Sequence, residues 1–593
     1  MFTTRPEITG TFGVAASTHW LATGTAMSVL ERGGNAFDAA VAAGFTLQVV
    51  EPHLNGPGGE VPMLIAPAGH AVQVVCGQGI APQAATIDAF SALGLNMVPG
   101  TGLLATVVPG AFDAWMLVLR DHGTWPLADI LAPALHYLDH GQPLLETTAD
   151  VIARLENLFT REWPTSAELY LPNGAAPKAG ALFRNPTLAE TYRKIVRHSE
   201  AARGSREKQI DAARAVWREG FIADAIDGFC AATEAMDTSG ARHKGLLTGN
   251  DMAAWSASYE DPLTFDYHDT TVCKTGPWGQ GPVFLQQLAL LSGFDVGAMD
   301  PNGADFIHTV VECAKLAFAD REAFYGDPNF TDVPVKVLLS ADYADARRAL
   351  IGTAASLDLR PGTIKGFGGP IGSGDAAPAG AQDLGEFGAG EPTVAKTGAT
   401  RGDTCHLDVI DRWGNMVSAT PSGGWLQGSP AIPGLGFCLN TRAQMFWLDQ
   451  RSPNALAPGK RPRTTLTPSL ALRDGEPYMA FGTPGGDQQD QWSLTFFLRH
   501  VHHGMNLQEA IDAPAFHSEH WPNSFYPRQA YPGRLVIEGR AGETVISALK
   551  GRGHDAVVGP DWSEGRLSAC ARDGGLLRAA ANARGMQGYA AGR

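Results

Sequence analysis

The chain has 593 residues, 44% of them hydrophobic and 18% charged, proportions of a globular protein and not of a fibrous or low-complexity one. Sixty-one acidic residues against 45 basic ones leave a formal charge of −16 with no basic cluster, which argues against nucleic acid or an anionic membrane as partner. The apolar runs, such as Thr106-Val107-Val108, are too short to span a bilayer, and the length allows several domains or one interlocked α/β unit.

The opening residues, MFTTRPEITGTFGVAAST, lack a basic segment followed by an apolar core, so the chain reads as mature and cytoplasmic. Seven cysteines (Cys76, Cys230, Cys273, Cys313, Cys405, Cys438 and Cys570) are widely spaced without a CxxC pair, the pattern of free thiols in a reducing compartment. Ala15 to Glu51 carries a helical pattern broken by Gly33-Gly34. His53 to Glu60 is a glycine-rich turn entering the strand Val61 to Ile65. Its Gly56-Pro57-Gly58-Gly59 suggests a phosphate cradle, but without a lysine or a strand–loop–helix order a tight turn is the better reading.

Residues 145–244 are the least informative; Glu200 to Glu219 is a charged helical run, a solvated helix or a lid. Asn250 or Asp251 is suited to cap the next helix. His308 to Tyr325 is helical with an apolar stripe through Val311, Ala314, Leu316 and Phe318, and Asp320-Arg321 reads as structural ion pairing. Residues 360–403 are dominated by Gly, Ala and Pro, too poor in large apolar side chains to hold a fold, and a long loop of this kind is usually functional.

That loop ends at Thr404, where His406 to Asp411 alternates as a strand, Arg412 to Asn415 is turn chemistry, and Met416 to Thr420 resumes as a second strand. Placing Asp411 opposite Met416 sets Leu407 opposite Thr420 and Cys405 opposite Ser422, and returns Thr420 and Ser422 to the side of Thr404. A chain that cuts itself before Thr404 frees a threonine whose α-amino group, with a pKa near 8, can take the hydroxyl proton. A cut one residue later would expose Cys405, also a competent nucleophile. Further on, Met479 to Phe481 runs into Gly482-Thr483-Pro484-Gly485-Gly486-Asp487, and His517 and His520 resemble a metal pair without a third ligand.

Asp403-Thr404-Cys405-His406 with Gly414-Asn415, GGNAFDAAVA at 33–42, VVEP at 49–52, VPGA at 108–111, LAPA at 131–134 and NARGMQGY at 582–589 together resemble the γ-glutamyltransferase family of N-terminal-nucleophile hydrolases. The resemblance thins only over about 145–245 and 360–400, and points to a cytoplasmic acylase-like branch. It implies a four-layer αββα sandwich and a cut between Asp403 and Thr404, giving a large chain 1–403 and a small chain 404–593 that stay together as a heterodimer. It further implies no cofactor, no metal, and a small-molecule amide as substrate.

By the same resemblance Thr404 is the nucleophile and Ser422 steadies it, with Thr420 a close neighbour. Gly485 and Gly486 supply oxyanion N–H groups, and Thr464 and Thr465 stand where paired serines hold the substrate carboxylate. Asn440 counts with the substrate-binding residues. Two positions depart from the family pattern: Ile87 replaces the arginine that grips an α-carboxylate, and Met445 replaces the aspartate that holds an α-ammonium. Losing such a charged hydrogen bond costs roughly 1.5–3 kcal/mol. Arg442 replaces a neutral residue and either pairs with a carboxylate elsewhere on the acyl group or is a surface or hairpin-stabilising arginine. The expected activity is hydrolysis or transfer of a small acyl group lacking the free α-amino acid head. The alternatives are a genuine γ-glutamyltransferase or glutathione hydrolase with head-group contacts from other loops, and an uncut, non-catalytic binding protein.

Overall fold

Strand-forming segments from both ends of the chain meet in two antiparallel seven-stranded sheets. The computed structural model describes residues 2–371 and 404–593; most of the 360–403 segment, Asp403 included, lies outside the described residues. One sheet runs in the order Tyr589–Gly592, Gly13–Ser17, Leu407–Asp411, Met416–Ala419, Met63–Ala66, Gln73–Cys76, Ser258–Glu260. The other runs Ile8–Gly10, Leu576–Ala581, Ser568–Asp573, Glu476–Gly482, Ser469–Arg473, Thr270–Lys274, Leu263–Tyr267.

Three apolar layers show how the sheets and helices stack. The outer face of the first sheet (Leu407, Val409, Val417, Met63) packs on the helices Trp20–Glu31, Ala36–Val50 and Ala111–His122. Val14, Leu64, Ile410, Leu470, Ala480 and Cys570 fill the space between the sheets. Ala471, Met479 and Phe481 of the second sheet meet the helices Gly281–Leu291, Ala304–Phe324 and Gln489–His503. This is the expected αββα sandwich. All seven cysteines are buried and unpaired.

The helix Ala36–Val50 is apolar all round and buried along its whole length, as a helix between a sheet and other helices must be. Asn35 caps it in a reciprocal box with Asp38, whose carboxylate also receives the Thr124 and Trp125 amides. The cap at the later helix Gly249–Ala254 is Thr248, two positions before Asn250, with Asp251 as the returning partner. The charged run falls on the helix Arg206–Glu219 and is not a lid: Ile210, Ala213 and Trp217 face inward, and Trp217 stacks on Phe112 with centroids 4.5 Å apart. Arg214 forks onto the buried Asp113 at 2.7 and 3.0 Å, tying this helix to Ala111–His122. Asp320 and Arg321 take separate partners, Asp320 with Tyr343 and Arg347, Arg321 with Glu322 and Asp487.

The glycine turn at 56–59 is a packing device. Gly58 and Gly59 lie so close to the Cys438 and Ser422 carbonyls that an added Cβ would sit 2.1 and 2.0 Å from those oxygens. Gly59→Ala is therefore expected to lower stability by about 1–3 kcal/mol through overpacking, read as a reduced midpoint in urea unfolding.

Candidate active site

The hairpin pairs Leu407 with Ala419, Asp408 with Ser418, Val409 with Val417 and Ile410 with Met416, one residue out of the expected register. Asp411 causes the slip. Its carboxylate accepts from the amides of Trp413 and Asn415 and from the Asn415 side chain, and its own N–H reaches the Asn415 carbonyl at 3.2 Å. Three residues, 412–414, with Gly414 at φ +91°, therefore turn the chain where four were expected. A one-residue slip exchanges partners along the whole strand. Thr404 now faces Ser422 in an antiparallel bridge. The strand is buried on both faces: Cys405, Leu407 and Val409 join the helix-side core, and Thr404, His406 and Asp408 alternate with them.

Thr404 Oγ1 lies 3.1 Å from Ser422 Oγ, and both residues are buried. Ser422 Oγ accepts a 2.6 Å hydrogen bond from Arg442 Nη2, and Arg442 Nε donates to Glu60. Glu60 and Ser422 also exchange backbone hydrogen bonds at 2.9 and 3.0 Å, so the acid on the glycine turn is fixed beside the hairpin. Burial pushes the Glu60 carboxyl up to about 7, against the pull of Arg442. The guanidinium sits 4.8 Å from the Trp425 ring centroid and 5.6 Å from that of Phe525. Arg442 is thus fully buried, and its surface reading is overturned.

Other expected site residues divide. Thr420 Oγ1 lies 2.9 Å from His406 Nδ1, so its hydroxyl belongs to a different network from Ser422. The Asn440 side chain is consumed by structure: Nδ2 donates to Gly58 and Val107 carbonyls, and Oδ1 accepts from Val107 and Arg442 amides. That leaves it no capacity for substrate. Thr464 pairs with Gly279 and its Oγ1 accepts from the Leu466 amide, whereas the buried Thr465 Oγ1 has no partner among the described residues. Gly485 holds φ +113°, and a Cβ there would lie 2.7 Å from the Trp492 ring, so only glycine fits. The Gly486 carbonyl accepts from the Gln489 amide and Gln280 Nε2. Asp487, next along, receives Arg321 at 2.5 Å and both the amide and hydroxyl of Ser524, which anchors the loop bearing Phe525.

Met445 packs with Trp425 and Phe525, the two rings that flank Arg442. Ile87 opens the helix Ile87–Ala92 and packs in a separate cluster with Ala443 and Phe446. Cys405 Sγ donates to Glu51 at 3.0 Å, and burial holds the thiol well above its usual pKa, an environment that suits packing and not attack. His517 lies 2.7 Å from Glu564, while His520 bonds the Asp358 carbonyl and the Gly533 amide, so these two are not a metal pair. A trio the sequence did not disclose, His308, Glu312 and His554, has ligand-type atoms close together. Its carboxylate already accepts from Lys315 at 2.6 Å and Arg360 at 3.2 Å, and two cations there oppose a third. Glu60 and Phe525 were also missed; the only local hint was an acid at the mouth of an apolar strand. His406, which the sequence places as a packing or hydrogen-bonding residue of the hairpin, does bond across it to Thr420.

Two antiparallel sheets between helical layers, with a hydroxyl residue at the head of a central strand, define an N-terminal-nucleophile hydrolase fold. The comparisons agree on this. A solved structure named LmbA2991HD is 55% identical with a TM-score of 0.93, each chain covered in full. The cephalosporin acylase from Bacillus halodurans is 28% identical with a TM-score of 0.82, over all of this chain and 97% of the other. The oxamate amidohydrolase proenzyme of Klebsiella pneumoniae is 32% identical, over 98% of both chains. The γ-glutamyltranspeptidase family profile matches residues 22–592, and the chain belongs to that family. It is an enzyme of the amide hydrolase and acyltransferase kind. Among the described residues no helix is long and apolar enough to cross a membrane.

Breaking the buried Glu60–Arg442 pair from one side strands a charge. Arg442→Met is expected to cost about 3–5 kcal/mol in chemical unfolding, and the double variant with Glu60→Met to recover most of it.

Proposed function

We propose that the chain cuts itself between Asp403 and Thr404 and then uses Thr404 to hydrolyse a small acyl amide whose carboxylate lies close to the scissile carbonyl. In the first reaction Thr404 Oγ attacks the carbonyl of Asp403, the acyl group moves from nitrogen to oxygen, and water hydrolyses the ester. In the second, the freed α-amino group takes the Thr404 hydroxyl proton as Oγ attacks the substrate amide. The N–H groups of Gly485 and Gly486 stabilise the oxyanion, the amine leaves with a proton, and water releases the acyl group. The balance of both reactions needs no cofactor, and the two fragments act as one particle.

The observation that carries this reading is the run of contacts from Arg442 Nη2 through Ser422 Oγ to Thr404 Oγ1, at 2.6 and 3.1 Å. It sets a cation one hydroxyl away from the attacking oxygen, so a carboxylate that meets this guanidinium belongs to a short acyl group. The relative named oxamate amidohydrolase supports a substrate of this class. Ile87 and Met445 weigh against a γ-glutamyl head. A second reading has one observation in its favour: Glu60 beside Arg442 offers opposite charges to an α-ammonium and an α-carboxylate.

Freshly made wild-type protein is expected to yield a small fragment whose intact mass begins at Thr404, and Thr404→Ala to stay one chain. A fragment lighter by one threonine residue would move the nucleophile to Cys405, and an uncut inert wild type would favour a binding protein. In the processed enzyme Ser422→Ala should lower kcat about 10- to 100-fold, the worth of a charge-assisted hydrogen bond. On a panel of oxalyl, malonyl, glutaryl and γ-glutamyl anilides, the shortest carboxylates should show the highest kcat/KM; a preference for γ-glutamyl anilide would establish the second reading.

A further inference from the structure

On the same strand as Thr404, the layer between the sheets is interrupted by a polar chain. His406 Nδ1 lies 2.9 Å from Thr420 Oγ1, and Nε2 lies 3.0 Å from Asp408 Oδ1. Ser568 Oγ, from the opposite sheet, donates to Asp408 Oδ2 at 2.9 Å. All four residues are buried beside Ile410, Leu470, Ala480 and Cys570. The carboxylate oxygen at Nε2 can only accept, so Nε2 carries a proton, and Nδ1 and the Thr420 hydroxyl share the hydrogen bond on the other side of the ring.

The ring also marks where the two sheets touch. A Cβ on Gly482 would lie 2.3 Å from His406 Cε1, so the second sheet approaches the imidazole only because residue 482 has no side chain. Gly482 ends the strand that continues through Thr483 and Pro484 to Gly485 and Gly486. His406 is two residues from Thr404. One side chain therefore spans from the strand that carries the threonine to the strand that leads into the glycine pair.

We infer that His406 is a positioning residue, which with Gly482 fixes the sheet bearing Thr404 against the sheet bearing Gly485 and Gly486. Apolar contact alone is non-directional and lets packed sheets settle at more than one offset. A satisfied buried hydrogen-bond chain admits one arrangement, and a misplacement of about 1 Å at a reacting centre can cost on the order of 100-fold in rate. The inference rests on Thr404 as nucleophile and the glycine pair as oxyanion donors.

The test compares His406→Phe, His406→Asn and Gly482→Ala with wild type, following self-cleavage half-time, kcat, KM and the thermal unfolding midpoint. His406→Phe removes both ring hydrogen bonds and should slow self-cleavage and lower kcat about 100-fold while KM stays within about twofold. His406→Asn keeps a hydrogen-bonding side chain for Thr420 and should regain about tenfold of that loss. Gly482→Ala removes no polar group yet displaces the ring, and should reproduce the kcat loss. Wild-type kcat in folded Gly482→Ala, a loss confined to KM, or rates that follow the unfolding midpoint with no rescue by asparagine would each overturn the inference. Should His406→Phe fail to fold, Gly482→Ala and His406→Asn decide the matter. A wild type not cut at Thr404 refutes the parent reading; a wild type cut there and active, with variants that match it, refutes only the role of His406.

Discussion

The antiparallel bridge between Thr404 and Ser422 is the constraint on which the site depends. It sets two hydroxyls 3.1 Å apart at the end of a hairpin in the middle of a sheet. Strand pairing has a side-chain period of two, so only one parity of register puts both on the same face. Asp411 decides that parity from the far end of the hairpin by closing the turn on Asn415. The helix-side packing of Cys405, Leu407 and Val409 then holds the odd-numbered face against the core and leaves the other for chemistry.

Around that bridge the protein has placed charges where a sandwich would ordinarily hold hydrocarbon. Glu60 reaches the site because Gly58 and Gly59 let its turn lie against the Cys438 and Ser422 carbonyls, and Arg442 reaches it because Asn440 pins the preceding loop. Neither ion is tolerable there alone, since burying an unpaired charge costs several kcal/mol. Together, between the Trp425 and Phe525 rings, they form a neutral unit that still directs a donor at Ser422. An ion pair of this sort contributes orientation more than stability.

The layered fold and the hairpin were legible in the sequence because their signals are local: alternation, turn residues and motif order. The register was misjudged by one residue because the decisive contact is a side chain closing its own turn, which residue types in a window do not display. Arg442 was singled out without its partner, for Glu60 lies 382 positions away and follows a turn that reads as ordinary punctuation. Asn440 and Thr420 were assigned to substrate and nucleophile by position, but their polar atoms are committed to backbone and to His406, and only coordinates reveal such commitments. The His406–Gly482 approach was invisible for the same reason: it joins two sheets through the absence of a side chain.

The order of strands has a bearing on what happens after scission. Gly13–Ser17 lies between Leu407–Asp411 and Tyr589–Gly592, Ile8–Gly10 borders Leu576–Ala581, and Thr270–Lys274 borders Ser469–Arg473. Segments from before and after the proposed cut are shuffled through both large sheets like cards, so neither piece owns either seven-stranded sheet or the layer between them. Opening the chain would therefore free a terminus without freeing a subunit. Each piece alone would present strand edges that only the other covers, so the folding of one is the template for the other.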